Sequence, residues 1–470
     1  MPVPVINLAQ MREWERATWV TGQTEAEVIR RVGQQIAAHA QELTQSGDLI
    51  LILAGKGHNG DDARAVVQFL DDRKIEILNV TAPGNDLAAL RSALLQKPAL
   101  IVDGLFGIGL TRALDEDWKK VIAAVNAAKI PVLAVDIPSG LNADTGEQFG
   151  AAIRAAVTLT VGAPKIGMLA AKAWPFVGRL EVAEDVGLIP CPQQSDLNWT
   201  QPEDFQNFPP PRPVAGHKGS FGHLAIVAGS CGFHGAGVLT SRAAQRAQPG
   251  LVTLFTDEKV YGTLAAQLQA VMVNIWKPKL KFLNSTSAIL IGPGLAAPGV
   301  AGKLKAPMRK LWRDSQLPMV VDASALDWLP LGEFQTNAIR VITPHPGEAA
   351  RLLQTTAQTV QADRVKSLRE ISKSLGHCWV VLKGHQTLIG RSTGEIFVNP
   401  SGNPHLAQGG SGDVLAGFIA GLLAQPELSV DAGKTIRYAV WQHGAAADAL
   451  QARSTNWIIE DLAGKIGSVC

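Results

Sequence analysis

The run HLAQGGSGDVLAGFIAGLLAQ, His405 to Gln425, carries the residue pattern with the most chemical content. Gly409, Gly410 and Gly412 surround Ser411 and lead into Asp413. An apolar helical pattern begins at once with Val414, Leu415, Phe418, Ile419, Leu422 and Leu423. A glycine-rich turn that opens a helix presents unpaired backbone N–H groups and the positive end of the helix dipole. That combination is an anion site suited to phosphate. A carboxylate beside a phosphate is repelled unless a cation or a proton-transfer role keeps it there, so Asp413 reads as catalytic. The competing reading is a helix cap, a place that Asp also fills well.

A second glycine-rich turn, Gly55-Lys-Gly57-His-Asn-Gly60-Asp-Asp62, follows an apolar run and precedes a helical one. This is the context that a dinucleotide fingerprint requires. An acidic residue about 20 positions further on should hold the ribose. Glu76 lies near that offset but begins a strand, which speaks against an ordinary Rossmann dehydrogenase. The next strand ends in Asp103, with Gly104, Gly107 and Gly109 after it, and the following one ends in Asp136-Ile-Pro-Ser139-Gly140. Asp103 and Asp136, with the Asn59 amide and the Ser139 hydroxyl, are expected at one sheet edge. Hard oxygen ligands of that kind suit a hard cation; plain turn formation is the alternative.

The elements that must position these residues read as α/β in both halves. In the first, strands are expected at Leu49–Ala54, Ile75–Val80, Ala99–Val102, Pro131–Val135 and Val157–Val161, with helical patterns such as Ala63–Leu70 and Trp118–Ala128 between them. The second repeats the style at Leu224–Ala228, Leu251–Phe255, Ala288–Ile291, Met319–Val321, Val341–Ile342 and Trp379–Leu382. This alternation implies open parallel sheets with ligands beyond the carboxyl ends of the strands. A stretch dense in Pro, Gln, Asn and Asp, Ile189 to Gly219, reads as a linker that continues neither a helix nor a central strand. The expected domains are 1–200 and 201–470.

Composition is consistent with two such domains. The 470 residues are 46% hydrophobic and 18% charged, enough for full cores. A net charge of +2 without a basic stripe argues against nucleic acid as a partner. Cys191, Cys231, Cys378 and Cys470 are far apart and read as reduced thiols of a cytoplasmic protein. The ten histidines form no zinc spacing. No signal peptide or membrane span is expected.

DIPSG at 136–140, the Asp103 loop and the 55–62 turn resemble the NAD(P)HX epimerase family, the YjeF N-terminal domain. HKGSFGH (217–223), GPGLA (292–296), VVDASAL (320–326), ITPHPGEAARLL (342–353), VLKGHQTLI (381–389) and NPHLAQGGSGDVLAG (403–417) resemble the ADP-dependent NAD(P)HX dehydratase family. The resemblance covers nearly the whole chain. It implies a Rossmann-like N-terminal domain, a ribokinase-like C-terminal domain, and repair of hydrated NADH and NADPH. One domain would interconvert R and S epimers; the other would restore the S form with ADP as phosphoryl donor, releasing AMP and phosphate. Mg²⁺ would accompany the nucleotide, K⁺ would sit in the N-terminal domain, and the chain would be a cytoplasmic homo-oligomer.

Carried over residue by residue, the nucleotide contacts fall on Lys383, Gly384, His385, Gln386, Thr387 and Gly412. Those of the hydrated nicotinamide in the dehydratase fall on Ala236, Gly294, His345 and Asp413. Lys383 would give phosphate a point charge, or else only snorkel at a strand end. The epimerase contacts fall on His58, Asn59, Gly60, Asp61 and Asp62, on Gly107, Ile108, Gly109, Leu110, Thr111, Arg112 and Ala113, and on Asp136. The potassium ligands fall on Asn59, Asp103 and Ser139.

The sequence departs from the pattern mainly in the first half. The family's NNGGDG is His58-Asn59-Gly60-Asp61-Asp62-Ala63, which puts a carboxylate at Asp61, where it is expected beside a pyrophosphate. GTG becomes Gly107-Ile108-Gly109, and an expected Asp is Ala156. In the second half the changes are Ser324, Leu406, Gln408 and Ala296, and none touches Asp413. Two alternatives stay open: a dehydratase with an N-terminal binding or assembly module, and a ribokinase-like small-molecule kinase.

Overall fold

The computed structural model describes residues 2–332 and 337–469. The chain forms two compact units, Val3–Ser195 and Asp196 onward.

The first unit is built on six parallel strands in the order 74–79, 49–54, 100–104, 132–135, 157–161, 179–183. Side chains alternate along a strand, and Leu49–Ala54 shows the consequence. Ile50 and Ile52 join one core with Val32, Ile36 and Val102, while Leu51 and Leu53 join the other with Leu90, Ile101 and Val121. A sheet covered on both faces needs unbroken apolar strands. The strand Arg179–Ala183, with Arg179 and Glu181 in it, escapes that pattern and is absent from the sequence-based set.

Strands 74–79 and 100–104 flank 49–54 on opposite sides, so the chain reverses direction there. In open α/β sheets a crevice opens at such a switch point. The turns after Ala54 and Gly104 meet in it, with the Gly55 N–H donating to the Gly104 carbonyl at 3.0 Å. The turn is shorter than the sequence suggests. Its helix runs His58–Ala65, followed by a 3-10 turn at Val66–Phe69, instead of Ala63–Leu70. Gly60 allows the early start, because a Cβ there would lie 2.2 Å from the Gly55 carbonyl oxygen.

The second unit has a larger sheet. From 379–382 the order runs 340–342, 319–321, 288–291, 223–227, 251–256, 272–275, all parallel. On its other side, 387–390 and 396–399 add as antiparallel neighbours, and 197–199 pairs parallel with 396–399. The segment read as a linker from Ile189 to Gly219 is corrected here. Leu197–Trp199 is a strand, and Asp204 in the 3-10 turn after it forms an ion pair with Arg437. The switch point lies between 223–227 and 288–291.

Helix Ser411–Leu423 lies against helix His234–Arg246. The approach is close because Gly417 and Gly421 face it: a Cβ at Gly417 would stand 2.2 Å from the Thr240 carbonyl oxygen, and one at Gly421 2.7 Å from that of Ala244. This contact fixes where the N-terminus of the 411–423 helix ends up. Among the described residues no helix is long and apolar enough to cross a membrane. Cys191, Cys231 and Cys378 are free thiols; Cys470 lies outside the described residues.

Candidate functional site

In the second unit, the residues beyond four adjacent strand ends converge on the start of helix Ser411–Leu423. Gly410 caps that helix with φ +96° and no side chain bonds to the free N–H groups. Asp413 is the third residue of the helix, and among the described residues its carboxylate accepts no hydrogen bond, so it is not the cap. Burial, then the nearby carboxylate of Asp322, push its pKa from 3.8 up to about 7, against the pull of Lys383. A carboxyl poised near neutrality is what a general base requires. Beneath the turn, His443 is buried and pushed down to about 4 by that burial, so it is neutral; its Nε2 lies 3.0 Å from the Ser411 carbonyl.

Lys383 ends the strand Trp379–Leu382 and faces this helix start. A Cβ placed on Gly412 would stand 3.1 Å from Lys383 Nζ. The ammonium donates to Asp322 Oδ1 at 3.0 Å and lies 3.9 Å from Glu348 Oε2. Burial works against its charge, but Asp322, Glu348 and Asp413 together raise its pKa. Thr343 Oγ1 donates to Asp322 at 2.6 Å, which fixes that carboxylate's direction. His345 starts the helix Pro346–Leu353. Its N–H donates to Glu348 Oε2 at 2.8 Å, its Nδ1 accepts from the Gly347 N–H at 3.0 Å, and its ring is exposed.

The hairpin loop after Lys383 is organised from below by Arg364, whose guanidinium donates to the carbonyls of Leu382, His385 and Gln386. Thr387 Oγ1 closes the loop on the Gly384 carbonyl at 3.0 Å. The loop leaves His385 exposed and turns Gln386 inward. At the switch point, Gly294 adopts φ +67° and lies against Ala236, where an added Cβ would come within 2.8 Å. The expected residues thus follow the carboxyl ends of neighbouring strands, or start the helices at 234 and 411. Asp322, Thr343, Glu348 and Arg364 complete the arrangement and were not among the expected contacts, although the first three lie inside or beside the VVDASAL and ITPHPGE motifs.

In the first unit, a cavity of about 890 Å³ opens over the switch point. His58, Asn59, Asp62, the stretch Gly107–Ala113 and Asp136 line it; Gly60, Asp61 and Glu76 do not. Asp61 pairs with Arg64 Nη1 at 2.6 Å, and Arg64 continues to the Gly55 carbonyl and the Asn79 side chain. The carboxylate expected beside a pyrophosphate is therefore neutralised outside the cavity, because the 58–65 helix turns it toward Arg64. His58 Nδ1 lies 3.1 Å from Glu25 Oε1. Glu76 accepts from Gln96 instead of serving a ribose.

Asn59, Asp103 and Ser139 meet around the Phe106 backbone. Ser139 donates from Oγ to Asp103 Oδ1 at 2.6 Å and from its N–H to Oδ2 at 2.9 Å. The Phe106 N–H donates to Ser139 Oγ, and Asn59 Nδ2 donates to the Phe106 carbonyl. Asp103 is fully buried and no cation among the described residues pairs with it; burial pushes its pKa up to about 6, against the hydrogen bonds from Ser139 and Leu105. An all-oxygen set around a buried carboxylate with no cation partner among the described residues fits a hard cation. Asp136 does not join this set. It pairs with Lys165, a fully buried residue that the sequence reading missed.

Comparison with known proteins fits this geometry. The family model described as NAD(P)H-hydrate dehydratase matches residues 224–467, and that of the YjeF-related protein N-terminus matches 79–167, beginning after the altered 58–63 stretch. A bifunctional NAD(P)H-hydrate repair enzyme, Nnr, from Gloeobacter violaceus is 34% identical, over 96% of this chain and 94% of its own. The Nnr of Escherichia coli is 33% identical, over 96% and 91%. The chain belongs to the NAD(P)H-hydrate repair enzyme family. The crystal structure of a ribokinase-like superfamily protein from Enterococcus faecalis matches 59% of this chain and 96% of its own, at 26% identity and a TM-score of 0.51.

Proposed function

We propose that this chain repairs hydrated nicotinamide nucleotides at two sites, an epimerase in the first unit and an ADP-dependent dehydratase in the second. The observation that carries the reading is Asp413: a half-buried carboxyl, free of hydrogen bonds among the described residues, at the glycine-opened start of a helix and beside Lys383. As the ring hydroxyl of (S)-NAD(P)HX attacks the β-phosphoryl group of ADP, Asp413 takes its proton and AMP leaves. Such help contributes about 10²–10⁴-fold, or about 3–5 kcal/mol. The amides of 409–412 and the Lys383 ammonium hold the charge of the transferring group, since phosphoryl transfer depends on positioning and electrostatics. Phosphate then departs from C6, a proton leaves C5 to the departing phosphate or solvent, and the C5=C6 double bond returns.

Mg²⁺ would arrive with the nucleotide as part of the substrate. The hairpin 383–387, tied down by Arg364, and Gly412 would receive ADP; Ala236, Gly294 and His345 would receive the hydrated ring. In the first unit K⁺ would be held by Asn59, Asp103 and Ser139. It would compensate the Asp103 charge and steady the 105–107 turn that lines the cavity. A cytoplasmic homo-oligomer is the setting we assign, by family resemblance.

The test is recovery of NADH absorbance from a mixed-epimer NADHX sample with ADP and Mg²⁺, then with ATP. Rapid complete recovery with ADP is expected. No recovery with either donor would overturn the dehydratase and favour a kinase. Recovery of the S fraction alone, with a slow tail, would show that the first unit does not epimerise.

A further inference from the structure

We infer that Asp62 and Asp136 divide acid and base work in the epimerisation, with Lys165 as the residue that positions Asp136. This rests on the epimerase reading of the first unit.

Two carboxyl groups on one cavity differ in their partners. Asp136 sits at a strand end with φ +61°. Its Oδ1 accepts from Lys165 Nζ at 2.5 Å, from Thr160 Oγ1 at 3.2 Å and from the Val161 N–H at 3.1 Å. Lys165 spends its other donors on Thr160 Oγ1 and the Val161 carbonyl and has no exposed surface. It cannot touch a ligand in the cavity. What it does is hold Asp136 in place through a buried ion pair. Asp62 lines the same cavity, yet among the described residues its carboxyl has neither a hydrogen bond nor a cation. Burial, followed by the charges of Asp136, Asp61, Glu15 and Glu25, favours its neutral form. Glu15 stands in the same field with Lys165, His58 and Arg12 around it. Two carboxyls on one cavity, one held by a buried ammonium and the other without a cation, suit an acid and a base working together.

The chemistry of the substrate asks for that pair. The carbon that inverts, C6, bears both the hydroxyl and the ring nitrogen N1. Asp62 donates its proton to the hydroxyl, the C6–O bond breaks, water leaves, and the N1 lone pair forms N1=C6. A second water attacks C6 from the other face and Asp136 takes its proton. The N1=C6 pair returns to nitrogen, and the proton passes from Asp136 back to Asp62 through solvent. No redox partner enters.

The test uses the full chain and pure (R)-NADHX, following both epimers by NMR in oxygen-18 water. Wild type is expected to place one solvent oxygen at C6 per inversion. Asp62→Asn and Asp136→Asn are expected to lose about 10²–10⁴-fold of the epimerisation rate, with folding of the first unit verified by circular dichroism and two-transition thermal melts of the same preparations. Without the ammonium, burial favours neutral Asp136, so in Lys165→Met the acid limb of the epimerisation pH profile moves to higher pH. Inversion that retains the original oxygen would mean N1–C6 opening and overturn the proposal, as would Asp62→Asn within threefold of wild type or an unmoved limb in Lys165→Met. If Lys165→Met does not fold, the oxygen label and the Asp62→Asn rate decide. A wild type that never epimerises would instead remove the epimerase reading beneath the proposal.

Discussion

Each unit pairs a lysine with an aspartate at the carboxyl end of its sheet, and each places close by a carboxyl with no hydrogen-bond partner among the described residues. Lys165 with Asp136 and Asp62 form one set; Lys383 with Asp322 and Asp413 form the other. The lysines differ in what they have left to give. Lys165 is wholly enclosed, with its donors committed to Asp136, Thr160 and Val161. Lys383 keeps 20% of its side-chain surface exposed, makes one hydrogen bond among the described residues, and faces the open amides of a helix start. The same ion pair therefore locks a carboxylate in one unit and offers a cation to an anion in the other. The free carboxyls follow suit: like charges crowd both, but only at Asp413 does a cation, Lys383, pull back toward the ionised form.

The comparison breaks most sharply at Asp413. Asp413→Asn is expected to lower dehydratase kcat by about 10²–10⁴-fold while epimerisation continues, measured on pure S and pure R epimers. The same change should stabilise the fold above neutrality. A carboxyl raised from 3.8 to about 7 in the folded state favours folding only while protonated, so its stability contribution declines as pH rises from 4 to 7. The gain from the variant at pH 8 is bounded at about 4 kcal/mol and falls to about 1–2 kcal/mol at pH 5; paired thermal melts at the two pH values check the sign.

Lys383→Met comes next. It leaves Asp322, Glu348 and Asp413 facing one another without a cation, and breaking a buried pair on one side costs about 3–5 kcal/mol. Denaturant midpoints should fall, and kcat/KM for ADP should fall by about 10²-fold, the loss of one charge-assisted contact to the transferring group. A smaller effect is the acid limb of dehydratase kcat: activity should decline below pH 7 as Asp413 protonates, and a limb that persists unchanged in a variant lacking Asp413 would assign it elsewhere. The smallest is Asp61→Gly. Because Arg64 already neutralises Asp61 outside the cavity, epimerisation should change by less than about threefold, within the range of exposed ion pairs.

The sequence makes the strands with uniform apolar runs legible. Leu49–Ala54, Val157–Val161, Ala288–Ile291, Met319–Val321 and Trp379–Leu382 fall where their residues indicate. Strands that are short or carry charge escape: Arg179–Ala183 holds Arg179 and Glu181, and Leu197–Trp199 hides among Pro and Asn. Motif residues such as Asp413 and Lys383 stand out because glycines or neighbouring consensus positions surround them. Lys165 does not, since its partner lies 29 residues earlier and only sheet pairing joins them. Glu15 is likewise invisible, being one carboxylate on an amphipathic helix until that helix covers the cavity. The direction of Asp61 was misjudged for a related reason: helix phase, and not residue type, turns it to Arg64.

The most direct test of the two-carboxyl account begins with pure (R)-NADHX, ADP and Mg²⁺ and follows both epimers and NADH with wild type, Asp62→Asn and Asp413→Asn. Wild type should yield NADH without delay. Asp413→Asn should produce the S epimer and no NADH, and Asp62→Asn should yield NADH only at the uncatalysed epimerisation rate. NADH formation by Asp413→Asn at the wild-type rate, or an Asp62→Asn trace that overlays wild type, would contradict it.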